Sequence, residues 1–387
     1  MAKLDGWDGW DGWDGWDGWD GGGAKSGPSG LSGQLVSEAL RVSREQANSA
    51  LLAGDLDWSK TTASDLSDSF ARDWGEPSAD GLPAPGSSVW MGRMSPWAHR
   101  QVYQAELNKN LIFDKDATNH KIALAYRAAE KTQIPITSAT RPTKDILVNQ
   151  TKLVLGLASE RRERSAEIHT QVMTYMPFWS SICHLEPSTT PKTYEVIIAA
   201  IQFASTVVQY MKYFLACPRP SQFSPRVQPM ITPPEFFAFP SGHATQAFMI
   251  ARLLQVLMKE QPAKSLDKLL QQQAFMIANN RVIAGVHFPV DGMAGRAIGE
   301  SLAEYFMHRC NGGGWTYRAF DGTQVNEPGA NLLLSEPVDS ADGKSLQPYY
   351  LGNDQSTRTK TTTNTDAGVD DSPLGWLWKK ASAEWKK

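Results

Sequence analysis

The sequence predicts a mainly α-helical bundle, and two observations support this prediction. Apolar residues recur at helical spacing over much of the chain, whereas the alternating pattern of half-buried strands is scarce. The most apolar segment, residues 194–217, contains three side chains that a membrane span tolerates poorly, namely Gln202, Gln209 and Lys212. We therefore expect a buried core helix in this segment and no transmembrane segment.

The individual helices are predicted from apolar periodicity together with residues that start or stop helices. Ser37 and Ser43 are suitable caps near the first helix, and Pro191 suits the first turn of a later one. Gly, Pro and Asp interrupt the chain between about residues 54 and 98, which predicts loops there around one short helix. In chain order, the predicted helices cover about residues 31–52, 63–74, 98–110, 119–132, 143–173, 191–215, 241–254, 266–284 and 291–308.

Length and composition restrict the class of protein. A chain of 387 residues can bury a large core, as one large domain or two smaller ones. Its 38 Lys and Arg residues nearly balance 41 Asp and Glu residues, so the net charge of -3 argues against nucleic acid as the main partner. The three cysteines are odd in number and widely spaced, which predicts reduced core residues.

Both ends of the chain differ in composition from the middle. Residues 5–21 repeat Asp-Gly-Trp, which predicts a disordered acidic tail or, alternatively, an adhesive docking strip. The basic, Trp-rich end after residue 373 is either a frayed terminus or a short amphipathic segment for a partner or a membrane surface. The first residues do not form a signal peptide, so the sequence leaves the location as cytoplasmic or unknown. The predicted divisions are a tail with linker over 1–30, a helical domain over 31–350 and a tether with the basic segment over 351–387.

Three short blocks between residues 212 and 291 contain the polar residues of a candidate site. Each block lies at a predicted helix end, and the three occur in a fixed order, which is far more specific than any one of them alone. The polar residues of the three blocks are Lys212 and Arg219 in the first, Ser241, Gly242 and His243 in the second, and Asn280, Arg281, His287 and Asp291 in the third.

Side chains of these types bind tetrahedral oxyanions. Lys212, Arg219 and Arg281 supply positive charge and hydrogen-bond donors for the oxygens. Ser241 and Gly242 stand at a predicted helix start, where free N–H groups and the positive end of the helix dipole attract anions. Gly242 also lets the backbone approach a ligand closely.

Two histidines and an aspartate add proton chemistry. His287 and Asp291 are four residues apart, and if Pro289 is the first helical residue the carboxylate can turn back to the imidazole. Such a contact fixes the tautomer and makes the other ring nitrogen a better nucleophile or ligand. His243 can act as a general acid or base. The sequence thus predicts an enzyme that binds phosphate or its mimic vanadate.

The spacing of these residues resembles that of the superfamily of vanadium haloperoxidases, type 2 phosphatidic acid phosphatases and bacterial class A acid phosphatases. The shared pattern is Lys-x6-Arg-Pro, then Pro-Ser-Gly-His, then Ser-Arg-x5-His-x3-Asp, and Asn280 replaces the first Ser of the third block. The resemblance covers about residues 190–308. It implies the helical bundle of these enzymes, and a homodimer is a further expectation. It says nothing about the two tails, and the disordered termini are predicted from composition alone.

The implied activity differs between the branches of the superfamily. In a haloperoxidase, His287 would ligate the vanadium of a vanadate cofactor, which binds hydrogen peroxide and oxidises halide, and His243 would assist as acid or base. In a phosphatase without a cofactor, His287 would attack the phosphorus of a phosphate monoester, Asp291 would orient it and His243 would protonate the leaving group. In both, Lys212, Arg219 and Arg281 would hold the oxyanion.

Chain length and one aromatic residue favour the haloperoxidase-like branch. Soluble vanadium haloperoxidases have extra helices before the core, as predicted here, and Phe236 falls where the fungal chloroperoxidases have an aromatic residue near the halide site. Gln209 departs from their Trp, and Phe236 could equally be core packing. The alternatives are therefore a soluble phosphatase and, in another class, a cargo or interaction protein recruited through its tails.

Overall fold

The computed structural model describes residues 42, 86, 88–258, 264–325, 350–351 and 372–386. The described residues fall into two units, one from Met94 onward and another that ends at Arg93. In the second unit the described elements are a helical residue, Val42, and the 3-10 helix Ser88–Arg93. The predicted helix at 63–74, the Asp-Gly-Trp repeat and most of the C-terminal tether lie outside the described residues.

The larger unit is mainly α-helical, as the sequence predicts, with a small mixed sheet beside the helices. Its helices are α1 (Pro96–Asn108), α2 (Lys144–Gly156), α3 (Arg161–Met173), α4 (Met176–Cys183), α5 (Pro191–Leu215), α6 (Pro220–Phe223), α7 (Gly242–Leu257), α8 (Lys264–Ile283), α9 (Pro289–Asn311) and α10 (Pro373–Ala383). Its strands are β1 (Leu111–Asp116), β2 (Lys121–Ala129), β3 (Thr132–Thr140), β4 (Arg318–Asp321) and β5 (Tyr350–Leu351).

The sheet corrects the prediction of a helix over residues 119–132. Its strand order is β1-β2-β3-β4-β5, with antiparallel neighbours except for the parallel pair β3 and β4. The middle of β2 buries Ile122, Leu124 and Ala125, and a β-bulge lies between Leu124 and Ala125. This bulge shifts the alternation by one residue, so the apolar positions mimic helical spacing in the sequence.

The helix predicted over residues 143–173 is two helices. A 3-10 turn, Leu157–Glu160, separates α2 from α3, and Gly156 ends α2. The charged segment after this turn is tied to the rest of the protein at its first residue, because the Arg161 guanidinium donates to the carbonyl oxygens of Ile283, Gln228 and Val227 at 2.8–2.9 Å. Arg161 thereby ties the start of α3 to the end of α8.

The core is formed around α5, α7 and α9, and two glycines let α9 lie directly against α7. A Cβ atom on Gly295 would come 2.7 Å from the carbonyl oxygen of Ser241, and one on Gly299 would meet the carbonyl oxygen of Thr245. Both neighbours are backbone atoms, which cannot swing away as a flexible side chain can. The small residues therefore fix how closely the N-terminal halves of α7 and α9 approach.

We expect Gly299→Ala to lower the free energy of unfolding by about 1–3 kcal/mol, because the new methyl group must push the two helices apart. Gly156→Ala is the matched control, since a Cβ there meets nothing within 4 Å and the backbone is helical. The control should be neutral or slightly stabilising, as Ala is the better helix former. Chemical denaturation of both variants would test this, and equal midpoints would contradict the close approach.

The basic C-terminal segment forms α10, and its apolar face is covered by the protein itself. Leu374, Leu377 and Trp378 are buried, and α10 packs against α1, α5 and α9. Just beyond the helix, the Glu384 carboxylate accepts hydrogen bonds from the backbone N–H groups of Lys192 and Thr193 at 2.7 and 2.9 Å. These are N–H groups of the first turn of α5, so the end of the chain caps the longest core helix. The frayed terminus predicted as one alternative is not observed.

Helix α5 lies within the segment Pro191–Phe223, which is long and apolar enough to cross a membrane by length and composition alone. In the structure 72% of the apolar stretch in this segment is buried inside the protein. The burial fits the core helix expected from its polar residues.

Candidate active site

Lys212 reaches the site from the last turn of α5. The helix ends at Leu215, and its C-cap residue Ala216 adopts a left-handed conformation with φ of 48°. The side chain of Lys212 is only 2% exposed, and its Nζ donates to the carbonyl oxygens of Phe237 and Ala238 at 2.8 and 2.6 Å. An ammonium group has three N–H bonds, so one donor remains for a ligand.

Arg219 lies in an extended segment just before Pro220. Its Nε donates to the carbonyl oxygen of Phe236 at 2.9 Å, and its Nη1 donates to that of Val286 at 2.7 Å. The loop before α7 and the loop before α9 are thus joined through this guanidinium. Carbonyl groups around Lys212 and Arg219 orient the two cations without neutralising them, because a carbonyl carries only a partial charge.

The second block begins α7 as predicted. The Ser241 hydroxyl accepts from the backbone N–H of Ala244 at 3.4 Å, which makes Ser241 the N-cap. The backbone N–H of Ser241 donates to the carbonyl oxygen of Asp291 at 2.9 Å, so the starts of α7 and α9 are bonded together. A Cβ on Gly242 would meet nothing within 4 Å, which leaves open space beside the first N–H groups of the helix.

His287 and Asp291 form the contact expected from their spacing. Nδ1 of His287 lies 2.8 Å from Oδ2 of Asp291, and the same oxygen accepts from the backbone N–H of Phe288 at 2.9 Å. Asp291 is fully buried, and its Oδ1 has no hydrogen-bond partner among the described residues. With an ionised carboxylate, Nδ1 carries the proton, so Nε2 of His287 has a free lone pair.

His243 is held by the end of α3. Its Nε2 lies 3.1 Å from the carbonyl oxygen of Gln171. A carbonyl oxygen only accepts hydrogen bonds, so Nε2 carries the proton and Nδ1 is the nitrogen available for proton exchange.

Arg281 is the third cation and has the most unused donors. It is 1% exposed, and its Nη2 donates to the carbonyl oxygen of Ile168 and to Oε1 of Gln171 at 3.0 and 3.1 Å. Its Nε and Nη1 have no partner among the described residues. Buried donors without acceptors cost free energy, and an oxyanion beside them would remove that cost.

The contacts that Arg281 and Asn280 make with two residues of α3 were not predicted from the sequence. Asn280, which replaces the Ser of the motif, donates through Nδ2 to Oε1 of Gln171 at 3.0 Å and to Oε2 of Glu167 at 2.9 Å. Gln171 and Glu167 belong to α3, outside the three blocks. No motif marks them, and only a buried polar residue on the apolar face of the predicted helix could have indicated Gln171.

Burial and positive charge shift the pKa values of the site strongly. The pKa of His243 is lowered to about 3 by burial and then by Arg281, and burial followed by Arg219 and Lys212 holds the pKa of His287 well below its ordinary value. Burial raises the pKa of the Asp291 carboxyl to about 7. The free site therefore holds two neutral imidazoles. Burial and then Arg219 also hold the pKa of Lys212 well below its ordinary value, and bound negative charge would favour the protonated ammonium group.

Phe236 lies over the two cations of the first block. The centroid of its ring is 5.4 Å from Nζ of Lys212 and 5.2 Å from Cζ of Arg219, and the residue is 37% exposed. These are cation–π distances, and the ring of Phe236 is itself partly exposed to solvent. Phe239, by contrast, is buried, so the packing explanation fits it and not Phe236. Gln209 is half-buried on α5.

Residues 194–312 match the model of the PAP2 superfamily. The match supports the superfamily indicated by the motifs, and it spans all three blocks. Members of this superfamily are usually enzymes, either phosphatases or haloperoxidases. Among curated proteins no match to the chain is found.

The arrangement suits a tetrahedral oxyanion rather than a metal held by several protein ligands. Within the described residues no group of three or more His, Cys, Asp or Glu side chains could hold a metal ion. The unused donors of Arg281, the open space at Gly242 and the free Nε2 of His287 instead match an anion that brings its own oxygens. Both vanadate and a phosphoryl group meet this requirement.

Proposed function

We propose that the protein is a vanadate-dependent haloperoxidase-like enzyme that oxidises halide with hydrogen peroxide. The observation that supports this branch is Phe236, whose partly exposed ring borders Lys212 and Arg219. An apolar ring next to fixed cations provides a weakly hydrated place for a halide ion, which is large and polarisable. The phosphoryl oxygens of a phosphate monoester are matched by the cations themselves and do not call for the ring.

Each residue of the candidate site would have a distinct role in such a reaction. Lys212, Arg219 and Arg281 would hold the oxygens of vanadate, and Nε2 of His287 would be its one protein ligand. Asp291 keeps this nitrogen unprotonated by holding the proton on Nδ1. His243 would exchange a proton through Nδ1 with an oxygen of the bound species, because its Nε2 is engaged by a carbonyl. Vanadate would supply the activation of peroxide for a two-electron oxidation of halide.

A phosphatase is the second candidate. It is supported by the presence of a nucleophile, His287, its carboxylate partner, Asp291, and a general acid, His243, which need no cofactor. In this reaction Nε2 of His287 attacks phosphorus, the bond from phosphorus to the ester oxygen breaks, and His243 gives its proton to the leaving alcohol. Water then hydrolyses the phospho-histidine and releases phosphate. His243 must first be protonated, and the charge of the bound dianion would raise its pKa from the low value in the free site.

The deciding experiment uses phosphate-free protein with and without added orthovanadate. Bromination of a dye with peroxide and bromide is followed beside hydrolysis of an aryl phosphate. We expect bromination that depends on vanadate and disappears in His287→Ala, because that variant lacks the vanadium ligand. His184→Ala is the control, since His184 is an exposed residue at the end of α4. Phosphate release that vanadate inhibits, without sustained bromination, would move the protein to the phosphatase branch.

A further inference from the structure

Helix α3 is not part of the three blocks, yet its last turn contacts two of the site residues. Because α3 ends at Met173, the carbonyl groups of its last turn have no N–H four residues ahead within the helix. The carbonyl oxygen of Gln171 is one of these, and Nε2 of His243 lies 3.1 Å from it. The negative end of the α3 dipole therefore faces the imidazole and favours its protonated form.

The side chain of the same residue contacts the third cation. Gln171 is 1% exposed, and its Oε1 accepts from Nη2 of Arg281 at 3.1 Å and from Nδ2 of Asn280 at 3.0 Å. Asn280 is in turn held by Glu167. Two donors on Oε1 fix which way the amide points, since the reverse orientation would set N–H groups against N–H groups. One residue thus orients both Arg281 and His243.

The chemical identity of this residue matters because a carboxylate would satisfy the same two donors. A carboxylate next to Arg281 would neutralise its charge and compete with a bound anion. An amide oxygen orients the guanidinium and leaves that charge in place. The Nε2 of Gln171 has no partner among the described residues, so the amide is not required by any second contact there.

We propose that Gln171 is a positioning residue that aligns Arg281 and His243 around one bound oxyanion, and that its neutral amide keeps the charge of Arg281 available to that anion. The proposal rests on the oxyanion site of the proposed function and not on which branch of the superfamily applies. It predicts that adding one negative charge at this position weakens anion binding more than removing the hydrogen bonds does.

The test compares Gln171→Glu, Gln171→Met and Thr170→Glu. Thr170 is the adjacent, exposed residue of α3, so Thr170→Glu adds the same charge at the same helix end without facing the site. Dissociation constants for inorganic vanadate and inorganic phosphate are measured by calorimetry, without any turnover. We expect Gln171→Glu to weaken both anions about 10- to 100-fold, Gln171→Met to weaken them about 3- to 10-fold, and Thr170→Glu to change them less than about twofold.

The pH dependence of binding separates positioning from a merely structural role. A carboxylate at position 171 should raise the pKa of His243, whereas Gln171→Met keeps the backbone contact to His243 and should leave its pKa in place. Equal affinities in Gln171→Glu and Thr170→Glu would overturn the proposal. Weaker anion binding in Gln171→Glu would support it even if the wild-type protein brominates nothing, and wild-type protein that binds neither anion would overturn both this proposal and the proposed function.

Discussion

Replacing Asp291 by alanine should reduce turnover by about 10³- to 10⁴-fold, because the carboxylate fixes the tautomer of His287 and stabilises positive charge on it. Oδ2 of Asp291 accepts from both His287 Nδ1 and the Phe288 N–H, so an alanine loses the orientation of the ring and one helix cap together. The unsatisfied N–H of Phe288 should cost about 1–3 kcal/mol of stability. Steady-state kinetics with thermal unfolding would measure both effects.

Asp291→Asn separates the charge from the geometry. The Asn oxygen can take the place of Oδ2 and keep both hydrogen bonds, and its NH₂ group then lies where Oδ1 has no partner among the described residues. We expect a smaller loss of turnover, about 10- to 100-fold, with stability maintained. Turnover equal to that of the alanine variant would show that the charge, and not the orientation, is what His287 needs.

The raised pKa of Asp291 gives this series a pH signature. With a pKa of about 7 in the free protein, the carboxyl is protonated below that pH and kcat/KM of the wild type should fall there. The folded state also binds a proton that the unfolded state releases above its ordinary pKa of 3.8, so this group contributes less to stability as pH rises from about 4 to 7. Asp291→Asn should lose both dependences.

Replacing Arg281 by methionine should strongly weaken anion binding, and the folded protein should remain at least as stable as the wild type. Arg281→Met retains an unbranched side chain of similar length and removes two nitrogens, Nε and Nη1, that are buried without partners. We expect at least about a 100-fold loss of affinity for vanadate and phosphate, since a desolvated charge-assisted contact is lost. Burying fewer unsatisfied donors offsets the loss of the bonds to Ile168 and Gln171.

A thermal shift assay measures both parts of this prediction. Adding phosphate or vanadate should raise the Tm of the wild type, because a ligand that binds only the folded state stabilises it. Arg281→Met should show an unchanged or higher Tm without ligand and no shift with ligand. Arg226→Met removes one exposed charge and should respond to ligand as the wild type does. A clear ligand shift in Arg281→Met would exclude Arg281 from the anion site.

The site was largely predictable because its residues stand at helix ends with fixed spacing. The four-residue interval from His287 to Asp291 with Pro289 at the helix start was enough to predict their contact, which the structure contains at 2.8 Å. Lys212 likewise lies in the last turn of α5, as expected. Local geometry decides such contacts, so local sequence predicts them. The catalytic and binding roles of these residues stay predictions.

The features that were missed depend on contacts between distant segments. Gln171 meets Arg281 across more than a hundred residues of sequence, and its polarity on a buried face is its only local signal. The sheet was missed because a bulge shifts the alternation in β2, and because β3 pairs with β4 nearly two hundred residues later. The packing of α10 against the helices of the same chain was also missed. An amphipathic pattern shows that one helix face needs a partner, but it does not say which surface that partner is.

The cap that Glu384 places on α5 determines where this protein can be shortened. A chain cut after residue 351 would lose that carboxylate, leave the amides of Lys192 and Thr193 to water and uncover the apolar surface that α10 occupies. Poor yield or aggregation of such a truncation would report damaged folding, not a lost targeting signal. From its first residue to Lys212, α5 spans about 30 Å at 1.5 Å per residue. The contact made by Glu384 therefore lies at the end of α5 that is remote from Lys212.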